Sequence, residues 1–196
     1  MSRLMKKDTN MPKTTLTAMD CNVSPARRGE PTVFGADAPG GGLIIDTSEA
    51  ATMQWVDVMR ARGIRRVCCL LDERQLDRWD EFELLALFGR EFGEDRVLHA
   101  PIQDYQTCSP DLFLGRILPF LSAAERAGDR AVVHCMAGRG RTGQVLAAWL
   151  IAARGSSPKS AVDDVASAGA WRDPLQATDR KGPEFLATVA AAHPPK

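Results

Sequence analysis

The run Ala131-Val132-Val133-His134-Cys135-Met136-Ala137-Gly138-Arg139-Gly140-Arg141-Thr142 constrains this chain more than any other segment. Its apolar, β-branched start reads as a buried strand. Gly138 and Gly140 then allow tight, side-chain-free curvature. Val145, Leu146, Trp149 and Leu150 follow at helical spacing, on one face of a helix predicted over Arg141–Ala153 and stopped by Gly155. A strand, a glycine-bearing loop and a helix N-terminus make an anion site. The first-turn N–H groups are unpaired, and the helix dipole places about half a positive charge there.

The side chains in this run suit a phosphate. Met136, Ala137, Gly138, Arg139, Gly140 and Arg141 form the loop whose main chain would cradle the oxygens. Arg141 stands six positions after Cys135, a length that lets its planar fork lie across the anion and grip two oxygens. The same field favours the anionic form of a cysteine at the loop's start. Thr142 can offer its hydroxyl to that sulfur. His134 has no second His or acidic residue at metal-ligand spacing, so it reads as a buried imidazole steadying the loop, and no metal is expected. Arg139 reads equally well as a substrate contact and as a solvated loop-tip residue.

Around this run the pattern is that of an α/β fold. Short apolar runs at Gly42–Ile45, Arg66–Leu71, Val97–Ala100 and Ala131–His134 alternate with amphipathic stretches, the rhythm of a central, mostly parallel sheet of four to five strands flanked by helices on both faces. Helices are predicted over Glu49–Arg62 (capped by Thr47 or Ser48), Asp80–Phe92, Pro110–Ala127, Ser157–Ala168 and Pro183–Ala192. Residues 1–30 lack periodicity and read as a flexible or wrap-around segment, leaving 31–196 as a single domain.

Composition bears mainly on what to exclude. Lys plus Arg and Asp plus Glu number 25 each, so no net field draws the molecule to nucleic acid or an anionic membrane. The longest apolar run, Val145–Ala153, is far short of the roughly 20 residues that span a bilayer. Five cysteines, an odd number without C-x-x-C pairs, suit neither a disulfide framework nor a zinc site and point to a reducing cytoplasm. Cys108 or Cys69 pairing with Cys135 is the one redox arrangement they leave open.

The residues His134-Cys135-x-x-Gly138-x-x-Arg141-Thr142 resemble the signature of the protein tyrosine phosphatase superfamily, particularly its dual-specificity branch. The resemblance implies a cofactor-independent phosphomonoesterase of phosphatase-type α/β fold. Cys135 would be the nucleophile of a phosphocysteine intermediate, Arg141 the phosphate clamp and Thr142 the aid to sulfur departure. It also implies an aspartic acid some thirty residues upstream on a loop. Asp104, in Pro101-Ile102-Gln103-Asp104 directly after a predicted strand, occupies that place, with Asp111 as the competitor. Ile102 and Gln103 stand where larger tyrosine-specific enzymes carry Trp and Pro, which implies a differently anchored loop. The implied partner is a phosphorylated protein or a small phosphorylated substrate.

Three other readings stand beside this one. An inositol phosphate or phosphoinositide phosphatase would use the same chemistry, although Met136 stands where lipid-directed members often carry a lysine. A phosphate-reading module would need neither Cys135 nor Asp104. A rhodanese-like sulfur transferase would not need the Arg141-Thr142 pair.

Overall fold

A computed structural model describes residues 21–41, 46–79, 81–177 and 179–194. Its centre is a five-stranded sheet of order β1-β2-β5-β3-β4. The strands are β1 (Ser24–Pro25), β2 (Val33–Ala36), β3 (Ile64–Cys69), β4 (Val97–His99) and β5 (Arg130–His134). All neighbours pair in parallel except β1 with β2. The central strand β5 is covered on both faces, which explains its unbroken apolar run.

Alternation along the strands divides the core in two. Phe34, Ala36, Val67, Cys69 and Val132 face α1 (Glu49–Ala61) and α3 (Leu84–Phe92). Val33, Cys68, Leu70, Ala131 and Val133 face the layer of α5 (Leu118–Ala127), α6 (Gly140–Arg154), α7 (Pro158–Ala168) and α8 (Gly182–Ala192). Helix α6 is buried from Arg141 to Ile151, so it is the central helix of its layer. Glu30 pins the chain before β2 to this helix. Its carboxylate accepts from Arg154 Nε at 3.0 Å, Arg154 Nη2 at 2.9 Å and Trp149 Nε1 at 3.4 Å.

Most predicted helices stand within a residue or two of their expected bounds, and the departures have physical reasons. Ser48 caps α1 by accepting from Ala51 N–H. Helix α3 starts at Leu84 rather than at Asp80, which lies outside the described residues. The single helix expected over 110–127 is α4 (Pro110–Leu112), a π-helical turn Phe113–Ile117 and then α5. The wide turn precedes Pro119, which has no N–H to donate and crowds the preceding turn. Short helix α2 (Glu73–Leu76), capped by Asp72, was not expected.

The strand expected at 42–45 lies outside the described residues, and the place beside β5 belongs to β2. Residues 21–30 are packed on the sheet: Cys21, Val23 and Ala26 are buried and Asp37 N–H donates to Cys21 O at 2.9 Å. Residues 21–30, in the segment expected to be flexible or wrap-around, thus lie against the sheet, while residues 1–20 are outside the described part.

The registers Ala36↔His134, Cys69↔His134 and Cys69↔His99 bring four strands to one edge. The segments that follow them emerge together at the carboxyl ends of the parallel strands, where open α/β sheets bind ligands.

Candidate active site

Beyond His134 the chain curls through residues 135–139 and enters α6 at Gly140. Gly138 has φ +59°, and a Cβ there would run into Asp37 and the Ala36 carbonyl, so only glycine suits the position. Arg139 at the helix N-cap gives no side-chain cap bond, which leaves the first-turn N–H groups to a ligand. Cys135 is 3% exposed at the floor of this curve. Thr142 Oγ1 donates to its Sγ at 3.1 Å.

Arg141, 4% exposed, turns its guanidinium toward the segment that follows β4. Its Nη1 donates to Gln75 Oε1 at 2.7 Å and Ile102 O at 3.0 Å. Its Nη2 pairs with Asp104 Oδ1 at 3.0 Å. Gln75 completes a triangle, donating from Nε2 to Asp104 Oδ2 at 3.3 Å. The Asp104 side chain is 47% exposed, so one partner of a buried cation faces solvent. A cavity of ≈ 240 Å³ is lined by Asp104, Tyr105, Cys135, Arg139, Arg141 and Gln144, among others. Asp111 lies exposed in α4 and does not line it. Thiol, guanidinium and carboxylate thus share one small cavity at a helix N-terminus.

The model of the family described as "Polymorphic toxin system, DSP-PTPase phosphatase" matches residues 42–155, from ahead of α1 to the end of α6. The chain belongs to this phosphatase family. It is a hydrolase of the dual-specificity, protein tyrosine phosphatase type, acting on phosphomonoesters. No curated protein matches it.

Solved structures share the fold. The kinase associated phosphatase with its catalytic-site cysteine replaced by serine superposes with TM-score 0.70 at 19% identity, covering 91% of this chain and 99% of that one. Tk-PTP in its active form gives TM-score 0.63 at 24% identity, covering 87% and 97%. A mouse putative dual specificity phosphatase complexed with zinc tungstate gives 0.61 at 21%, covering 92% and 97%.

Several residues around the loop of this phosphatase were not singled out in the sequence. Gln75 joins Arg141 to Asp104, as above. Gln144, 1% exposed and one turn into α6, accepts from Cys108 N–H at 3.0 Å and so ties the segment after Asp104 to the helix behind the thiol. Its Nε2 has no protein partner among the described residues. Behind the loop, Arg172 Nη1 donates to Gly138 O at 2.7 Å. Asp37 accepts from Asn22 Nδ2 at 3.2 Å, and burial pushes its carboxyl up to about 6 against the pull of Arg172.

His134 is fully buried, edge-on to Trp55 and Phe88 at centroid distances of 5.4 and 5.6 Å. Burial holds its imidazole neutral, with the pKa down to about 3. Cys68, Cys69, Cys108 and Cys135 are free thiols, and burial raises those of Cys69 and Cys108 to about 12. Among the described residues no group of three His, Cys, Asp or Glu is placed to hold a metal ion, and no helix is long and apolar enough to cross a membrane.

Proposed function

We propose that this phosphatase hydrolyses phosphotyrosine, and phosphoserine or phosphothreonine, in proteins through a phosphocysteine on Cys135. The observation that carries the reading is the shared cavity of Cys135, Arg141 and Asp104, with the Thr142 hydroxyl already on the sulfur. Tyr105, 56% exposed at the rim, offers a face on which an aryl phosphate can lie. Residues 31–196 form the catalytic domain, with the packed segment from residue 21 as its foundation.

Asp104 is paired with Arg141. An entering phosphoryl dianion takes over the guanidinium, and Asp104, released, takes up a proton from solvent and carries it beside the leaving oxygen. The Cys135 thiolate then attacks phosphorus in line. The S–P bond forms, the bond to the leaving oxygen breaks and the Asp104 proton passes to that oxygen. In the second step water attacks phosphorus and gives its proton to Asp104. The S–P bond breaks, and the sulfur departs as thiolate onto the Thr142 hydroxyl. The loop N–H groups and Arg141 hold the equatorial oxygens in both steps.

The test is turnover of an aryl phosphate in the presence of chelator by wild-type and Cys135→Ser protein. A phosphorylated intermediate trapped on Cys135 is expected, together with complete loss in the serine variant. Turnover surviving Cys135→Ser overturns the mechanism. A panel of phosphotyrosine, phosphoserine and phosphothreonine peptides and inositol phosphates tests the substrate class, and preference for the inositol phosphates overturns that part.

A further inference from the structure

We propose that Arg172, in the segment between α7 and α8, is the positioning residue that holds the phosphate loop in its anion-binding curve and places a second fixed positive charge behind the Cys135 sulfur. The proposal rests on the reading of Cys135 as nucleophile.

The first ground is the direction of a peptide unit. In a trans peptide the C=O and the following N–H point opposite ways. Arg172 Nη1 takes the Gly138 carbonyl at 2.7 Å on the side of the loop away from the cavity, which Arg172 does not line. That bond turns the Arg139 N–H the other way, toward the cavity that Arg139 lines. One hydrogen bond at the back therefore fixes one donor at the front before any ligand arrives, so no reorientation is left for the reaction.

The second ground is that the guanidinium sits in a built socket. Nη2 donates to Asn22 O at 2.9 Å and to Ser24 Oγ at 3.1 Å, and Nε donates to Ser24 Oγ at 3.2 Å. Gly35 on β2 and Gly169 after α7 each leave no room for a Cβ, which would lie 2.7 Å from Arg172 Cζ and 2.6 Å from its Cδ respectively. Neither glycine has a left-handed φ, so the space, not the backbone, explains the residue. One strand and one loop thus give way to one side chain.

The third ground is charge. Arg172 is 4% exposed, yet its hydrogen-bond partners are two carbonyls and a hydroxyl, and among the described residues no carboxylate comes within ion-pair distance. A cation buried on neutral acceptors keeps its field for what lies near. Burial lowers its pKa to about 10, while the charges it interacts with, Asp37 and Cys135, act to raise it, so it is protonated at neutral pH. The other titratable groups around the sulfur are Arg141 and Asp104 in front, Cys69 on β3 and the neutral His134 on β5. Arg141 is ion-paired with Asp104, whereas Arg172 makes no ion pair among the described residues and interacts with Asp37 only at longer range.

The experiment uses the full chain with Arg172→Met, Arg172→Lys and Ser24→Ala. Alkylation of Cys135 by iodoacetamide is followed by mass spectrometry at pH 6 and pH 9, alongside competitive inhibition of aryl phosphate turnover by inorganic phosphate. In Arg172→Met the pH 6 rate falls about tenfold while the pH 9 rate is unchanged, and the phosphate inhibition constant rises about tenfold. Arg172→Lys recovers the pH 6 alkylation but only part of the phosphate binding, because an ammonium keeps the charge without the fork. Ser24→Ala moves both readouts in the same direction by less. An unchanged ratio of the two alkylation rates in Arg172→Met overturns the proposal. Where that variant does not fold, an unchanged ratio and inhibition constant in Ser24→Ala overturn it equally. Full turnover after complete alkylation of Cys135 removes instead the nucleophile reading beneath it.

Discussion

Arg141 and Arg172 are equally buried, each 4% exposed; Arg141 lines the cavity, and Arg172 bonds the loop from behind. Arg141 is held by the Gln75 side chain, two carbonyls at longer range and a carboxylate that is 47% exposed. Its acidic partner faces solvent, and in the proposed mechanism a ligand takes that partner's place. Arg172 is held by two carbonyls and one hydroxyl in a socket that two glycines vacate. Nothing there leaves, so its work is to fix geometry. The difference shows that burial alone does not mark a catalytic cation; what marks it is whether its partners can be exchanged for substrate.

The largest effect that sharpens this contrast is expected at Arg141. Arg141→Lys loses the two-pronged grip and should lower kcat/KM for an aryl phosphate about a thousandfold, against about tenfold for Arg172→Lys. Equal losses in steady-state kinetics would erase the distinction. Next comes the movable partner. Asp104→Asn should lower kcat about a hundredfold or more through loss of the proton donor, while inorganic phosphate binds slightly more tightly because Arg141 no longer pairs with a carboxylate. Weaker phosphate binding in that variant would contradict the exchange of partners.

Gln75→Leu removes the side chain that joins Arg141 to Asp104. About a tenfold fall in kcat/KM is expected, from loss of hydrogen bonds each worth roughly 1 kcal/mol. A separate effect concerns stability at the back of the loop. Asp37 has its pKa raised from 3.8 to about 6 by burial, so its stabilising contribution is full below 3.8 and is lost as pH rises through about 6. Asp37→Asn should therefore gain stability over wild type between pH 4 and 6, by at most about 1.4 kcal/mol per pH unit, and the gain should then level off. Urea unfolding at pH 4, 5, 6 and 7 reads it; a difference independent of pH would show that the carboxyl is not held protonated.

Much of this molecule is legible in one dimension. From residue 131 to 150 the strand, the curve, the thiol, the arginine and the helix are contiguous, so chain geometry alone carries the reader from sequence to site. The helices after β5 show clear caps and stops, with Ser157, Gly155 and the prolines near their starts, because capping is a local matter. Strand β2 was less visible, since Val33-Phe34-Gly35-Ala36 is short and carries a glycine that weakens any strand pattern. That glycine makes way for Arg172, so the feature that hid the strand belongs to the site.

The sequence by itself determined the anion loop, the identity and spacing of Cys135, Arg141 and Thr142, and the α/β alternation around them, because these depend on neighbours along the chain. The tertiary structure alone decided what surrounds that loop. Gln75 meets Arg141 across 66 positions, Arg172 meets Gly138 across 34 and Asn22 across 150. Such residues are ordinary in type and periodicity. Parallel pairing of β2, β5 and β3 brings distant segments to one sheet edge, and only there do the hydrogen bonds that give them a role come into being.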